Sequence, residues 1–113
     1  LFMDYRVNIV FSGHVHSYER TNPVSNDTVH VPGGAPVYIN LGDGGNREGH
    51  SRTFLANSPP WSAFRNGMDF GHTRLVVYNE THALHEWHSD NKPEGNVSDS
   101  TWLINDPKAW GKE

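Results

Sequence analysis

Apolar and polar positions alternate or cluster along this chain in runs of four to eight residues, the length of strands rather than helices. Ile9-Val10-Phe11, entered through Asn8 and left through Ser12-Gly13, is β-branched and aromatic and reads as a buried strand. Pro36-Val37-Tyr38-Ile39-Asn40-Leu41 alternates and reads as a second strand, ended by the glycine-rich Gly42-Asp43-Gly44-Gly45-Asn46. His72–Tyr78 and Ala83–His88 read as a strand pair joined by a hairpin-like turn at Asn79-Glu80-Thr81, and a short element is expected at Thr101–Ile104. Leu1–Arg6 looks like the last turn of a helix entering the first strand. Two stretches read as irregular. Thr21–Gly34 is turn-rich and broken by Val31-Pro32-Gly33-Gly34. Arg47–Gly71 carries Pro59-Pro60, with Trp61 and Phe64 expected to pin the loop down.

Composition narrows the class. Only 35% of the 113 residues are apolar, so the core of this piece alone would be small. It reads as a C-terminal piece of a larger fold. No apolar run approaches the roughly 20 residues of a membrane span. Cysteine is absent, which excludes disulfides, thiolate nucleophiles and cysteine zinc sites within the piece. The formal charge of −4 does not favour nucleic acid as a partner. Protonating the eight histidines would carry it to about +4 in acid, which suits an acidic compartment and anionic substrates. Three N-x-[ST] sequons, at Asn26, Asn79 and Asn96, lie in polar turn-like contexts and favour a secreted glycoprotein.

The chemistry-bearing pattern is the end of the first strand, Ser12-Gly13-His14-Val15-His16. Two imidazoles at i and i+2 on backbone fixed by a buried strand can each reach a different ion of a two-metal site, whose ions sit about 3.5–4 Å apart. Two ligands do not complete such a centre. Asp43 is the one well-placed carboxylate candidate, against its reading as a turn aspartate bonding nearby amides. Glu19 and Arg20 either orient an imidazole or serve structure, with structure favoured. Arg47 follows the glycine tip and could meet a phosphate oxygen bidentately, or be an exposed loop arginine. His82, His85 and His88 cannot converge on one ion, because alternation sends His85 to the opposite face from the other two. His72 is expected to be hydrogen-bonded and partly buried rather than a ligand.

Gly13-His14-Val15-His16-Ser17-Tyr18-Glu19-Arg20 resembles the last metal motif, GHxH, of the purple acid phosphatases, in particular the large plant-type group. Pro36–Ile39 running into Gly42–Asn46, then Phe70-Gly71-His72, Asn79–Ala83 and Trp87-His88 are similar to that family in the same order. The likeness covers about Arg6 to Trp102. It implies an α+β fold, the C-terminal part of a metallophosphoesterase two-sheet sandwich flanked by helices (αββα), with residues 1–113 a portion of the catalytic domain. It further implies a binuclear centre of Fe(III) with Zn, Mn or Fe that hydrolyses phosphate monoesters at acid pH. By position His14 would ligate the divalent ion and His16 the ferric ion, the other ligands lying upstream. Asp43 then becomes a loop-shaping residue and Arg47 a residue near the substrate entrance. The expected partner is a small phosphate ester, and a homodimer of the parent is compatible with the likeness. The expected location is secreted or extracellular, with vacuole and cell wall included. The rival readings are a phosphodiesterase or pyrophosphatase of the same superfamily, and a non-catalytic glycoprotein remnant should the chain stand alone.

Overall fold

The computed structural model describes residues 1–51, 54 and 56–113. Among them there are nine strands and no α-helix: β1 (Ile9–Ser12), β2 (Tyr18–Thr21), β3 (Val24–Ser25), β4 (Thr28–Val29), β5 (Val37–Leu41), β6 (Ser62–Asn66), β7 (Gly71–Val77), β8 (His82–Ser89) and β9 (Asp99–Ile104). No helix among the described residues is long and apolar enough to cross a membrane.

The strands form a four-stranded sheet in the order β1-β5-β2-β6, a three-stranded sheet β7-β8-β9, and the small hairpin β3-β4. β1 and β5 are parallel, Ser12 standing opposite Asn40, whereas β2 runs antiparallel to β5 and to β6. Parallel pairing brings the carboxyl ends of β1 and β5 to the same sheet edge. The histidine tip and the glycine tip are therefore neighbours.

The two larger sheets share one core. Tyr18, Val37, Ile39, Trp87 and Leu103 are buried there, with Ile9, Leu41, Phe64 and Ala83 packed around them. The Tyr18 ring stacks on Trp87 with centroids 4.5 Å apart and lies parallel to His85 at 6.2 Å. Fully burying side chains of this size contributes about 1.5–3 kcal/mol each. The stack has polar ends. Tyr18 Oη donates to Asp99 at 2.7 Å, and Arg20 grips the same carboxylate with Nε at 2.8 Å and Nη2 at 3.0 Å. Burial pushes the Tyr18 phenol well above its ordinary range, and Asp99 adds to that shift.

The chain departs from the sequence reading in four places. Tyr18-Glu19-Arg20-Thr21, to which the sequence reading assigns no element, is a strand paired with β5 and β6, with Tyr18 and Arg20 pointing together into the second sheet. Thr21–Gly34 contains the β3-β4 hairpin, whose turn residues Asn26 (φ 50°) and Asp27 (φ 59°) both adopt the left-handed backbone of a type I′ turn. Within Arg47–Gly71, Ser62–Asn66 forms β6, where Phe64 packs on Tyr18 and Trp87; residues 52, 53 and 55 of that stretch lie outside the described ones. His72 is exposed rather than partly buried. It occupies the outward face of β7, pairs with His88 across the strands and lies 3.7 Å from Asp90.

The N-terminal expectation takes a specific form. Leu1–Arg6 is a single turn, with the Tyr5 N–H donating to the Leu1 carbonyl at 3.2 Å. Val7 N–H reaches the Phe2 carbonyl, Arg6 N–H reaches Met3, and Arg6 sits at φ 51°. That pairing is a Schellman closure, with Arg6 in the left-handed position that glycine usually takes.

Candidate functional site

Five residues, 13–17, carry the chain from β1 into β2, and three features fix their path. Gly42 at the β5 tip passes so close beneath that a Cβ there would sit 1.8 Å from the Val15 carbonyl oxygen. Only glycine fits such an approach. Asn40 then spans the loop, its Nδ2 donating to the Val15 carbonyl at 2.9 Å and to Ser17 at 2.7 Å. From the other side Ser51 accepts the His16 N–H at its Oγ (3.2 Å) and donates its own N–H to the His16 carbonyl at 2.8 Å. The His16 main chain is thus bonded on both sides by Ser51, while Asn40 holds its two neighbours, Val15 and Ser17.

Its ring is oriented as well. His16 Nδ1 lies 3.2 Å from the Gly49 carbonyl. A carbonyl only accepts, so this contact is made by an Nδ1–H, and the neutral ring in that form turns its Nε2 lone pair away from Gly49, the arrangement a metal-ligating imidazole needs. The Glu48 carboxylate is 3.9 Å from the same Nδ1 and exposed. His14 is exposed and sits at φ 75°, a left-handed backbone uncommon for a residue with a β-carbon. Such conformations persist where surrounding structure holds them and cluster at functional sites. Among the described residues, no group of three or more His, Cys, Asp or Glu side chains is placed to hold a metal ion.

The remaining candidates are distributed as follows. Asp43 is buried and accepts the Trp87 indole N–H at 2.7 Å, while its carbonyl accepts the Gly71 N–H. It therefore ties the glycine tip to the second sheet rather than closing a local turn, and burial raises its pKa. Glu19 accepts from Ser62 Oγ at 2.7 Å and Arg20 binds Asp99, so both serve structure. Arg47 is exposed in the turn just before Glu48 and Gly49, on the loop that wraps His16. His85 is fully buried among Tyr18, Thr73 and Phe11, whereas His82 is exposed beside Trp102. The alternation of faces along β8 is as expected. Sequence reasoning passed over Asn40, Ser51 and Glu48. Asn40 carried a signal, being a polar residue on the face opposite Val37 and Ile39; Ser51 and Glu48 carried none.

Comparison with known proteins bears on this geometry. A family model described as iron/zinc purple acid phosphatase-like protein C matches residues 35–100. The chain belongs to the purple acid phosphatase family. Purple acid phosphatase 18 of Arabidopsis thaliana is 50% identical over 97 residues, covering 86% of this chain and 22% of that protein. The Fe(3+)-Zn(2+) purple acid phosphatase 12 of the same plant is 41% identical over 113 residues, covering 92% of this chain and 24% of its own length. Among solved structures, purple acid phosphatase PPD1 from yellow lupin seeds superposes with a TM-score of 0.80 at 26% identity, over 96% of this chain and 19% of that one. The chain thus spans less than a third of the purple acid phosphatases it matches, and its sheets match part of that fold.

Proposed function

We propose that residues 1–113 are the C-terminal portion of the catalytic domain of a secreted acid phosphatase that hydrolyses small phosphate monoesters. In the complete protein the two sheets would form the αββα sandwich with flanking helices. The observation that carries this reading is the pairing of tips: parallel β1 and β5 set His14-Val15-His16 against Gly42, with the His16 ring oriented through Nδ1 by the Gly49 carbonyl. The donor set fits, because neutral imidazoles suit both zinc and iron. His14 is assigned to the divalent ion (Zn, Mn or Fe) and His16 to Fe(III), with the other ligands supplied by the rest of the protein.

When bound, the ions supply Lewis acidity at the phosphoryl group and lower the pKa of a water. This chain's part is to hold and orient. Gly49 fixes the His16 ring, Ser51 fixes its backbone, Asn40 fixes the flanking Val15 and Ser17, and the exposed His14 faces the solvent from which ester and water arrive. Arg47, on the same loop, is placed to meet the ester's substituent at the entrance. Asn26, Asn79 and Asn96 are all exposed in turns or loops, as glycan acceptors of a secreted protein would be.

The test is made in the full-length protein. His14→Ala and His16→Ala should each lower turnover of a phosphate monoester by orders of magnitude, and each should release metal measured by elemental analysis. Near-normal activity in both variants would overturn the assignment.

A further inference from the structure

We propose that the cleft between the β3-β4 hairpin and the Tyr38 and Trp61 rings is a carbohydrate seat, and that its occupant is the first N-acetylglucosamine of a glycan on Asn26. The proposal rests on the reading of Asn26 as a glycosylated position and adds where the sugar lies. The cleft has a volume of about 340 Å³, and Asn26, Asp27, Tyr38 and Trp61 are among its walls. Asn26 therefore stands on the cleft's own rim. The I′ turn fixes it there with left-handed backbone, and Thr28 Oγ1 donates to its main-chain carbonyl, not to its side-chain amide.

The chemistry of the walls suits a pyranose. Tyr38 and Trp61 are half-buried, each with ring surface that lines the cleft rather than the core. Aromatic side chains of this kind offer an apolar face beside a polar handle. A sugar has the matching C–H face. Ser25 and Asp27 add a hydroxyl and a carboxylate able to meet its hydroxyl groups. Trp61 is itself anchored, since its carbonyl accepts the Asn22 N–H at 2.8 Å. The hairpin has strands of only two residues and is marginal by itself, so a covalently attached sugar bridging it to Trp61 would tie it down. Attachment joins Asn26 Nδ2 to the anomeric carbon of N-acetylglucosamine. The amide loses one proton, and the lipid diphosphate of a lipid-linked oligosaccharide donor departs.

The full-length protein, secreted from a eukaryotic host, provides the test. Mass spectrometry of the Asn26 peptide reports occupancy, and an endoglycosidase trims the glycan to one N-acetylglucosamine. Hydrogen exchange over residues 24–29 is expected to stay slow after trimming, and to quicken roughly fivefold when Thr28→Ala removes the sequon. In Trp61→Ala the sugar should no longer slow exchange, while Trp61→Tyr should restore the effect. An unmodified Asn26 overturns both the glycosylation and the seat. Equal slowing by the glycan with and without the Trp61 ring overturns the seat alone. Free N,N′-diacetylchitobiose separates the two sources of sugar. Fluorescence quenching of the Thr28→Ala protein that the attached glycan abolishes supports occupation by the protein's own sugar. Quenching that the attached glycan leaves unchanged overturns it.

Discussion

The strand β2 is held at two places by different chemistry. In its body, Tyr18 is buried against Trp87 and His85 and the half-buried Arg20 grips Asp99, so aromatic area and a shared carboxylate fix them. Just before it, the histidine loop is largely exposed and has almost no apolar packing. It is held through main-chain carbonyls and amides by Asn40, Ser51 and the space left at Gly42. The first place supplies stability and the second supplies geometry. A loop held mainly by its backbone leaves the His14 ring free and the His16 ring bonded only at Nδ1, and damage to the two places should read out in different measurements.

The largest expected effect strikes the buried place. Trp87→Ala removes the ring stacked on Tyr18 and leaves Asp43 buried without its indole donor. Large aromatic truncations in cores cost about 3–5 kcal/mol. The denaturant midpoint of the full-length protein should fall accordingly. A loss below about 1 kcal/mol would show that the sheets are held mainly elsewhere.

Acid offers a reversible way to load the same place. Burial lowers the His85 pKa from 6.5 to about 4. Between those values the unfolded chain binds a proton that the folded chain does not, so stability falls as pH drops through that window. The cost saturates below the folded-state value at up to about 3 kcal/mol. Replacement by a residue that cannot titrate, His85→Leu, should flatten that slope in urea titrations at pH 7, 5 and 4. An unchanged slope would locate the acid sensitivity in other groups.

Strand periodicity made much of this legible before any coordinates. β1, β5, β7, β8 and β9 are apolar or alternating runs with turn residues at their ends, and the order of motifs around His14-Val15-His16 pointed to the family. What was hidden depends on long-range partners. Tyr18-Glu19-Arg20-Thr21 has a polar composition, and what makes it a strand lies far along the chain: its pairing with β5 and β6, and the Trp87 and Asp99 side chains that meet Tyr18 and Arg20. β6 was masked by Pro59-Pro60, and the β3-β4 hairpin by strands too short to show a period. His72 was misjudged because its neighbour on β7 faces the core and it does not. Of the site, the two imidazoles were visible and their clasp was not, since Asn40 acts on carbonyls that no sequence pattern displays.

The clasp can be loosened without touching a histidine. Asn40→Ala removes the donor shared by the Val15 and Ser17 carbonyls, and since water can reach the exposed Val15 carbonyl the loss of stability should be about 1 kcal/mol. The informative readout is metal retention. Off-rates of the divalent ion from the full-length protein should rise while the melting temperature moves little. Asn40→Asp should be worse than alanine, because a carboxylate would face two carbonyl oxygens. Equal metal retention in all three proteins would mean that Gly42 and Ser51 suffice.

Arg47 should produce the smallest change in stability and the most selective one in function. It is exposed, and surface substitutions of this kind usually stay within about 0.5 kcal/mol. Its loop also carries Gly49, which orients His16, so the Arg47 backbone is tied to the site while its side chain is free to meet a substrate. Arg47→Ala should therefore leave metal content and melting temperature unchanged and shift kcat/KM unequally across esters. The largest loss is expected for substrates carrying a second anionic group, to which a guanidinium bonds well. Salt should narrow the difference, because an exposed pair is screened. Identical ratios across neutral and anionic esters would reduce Arg47 to a solvent-facing loop residue and leave the entrance to other side chains.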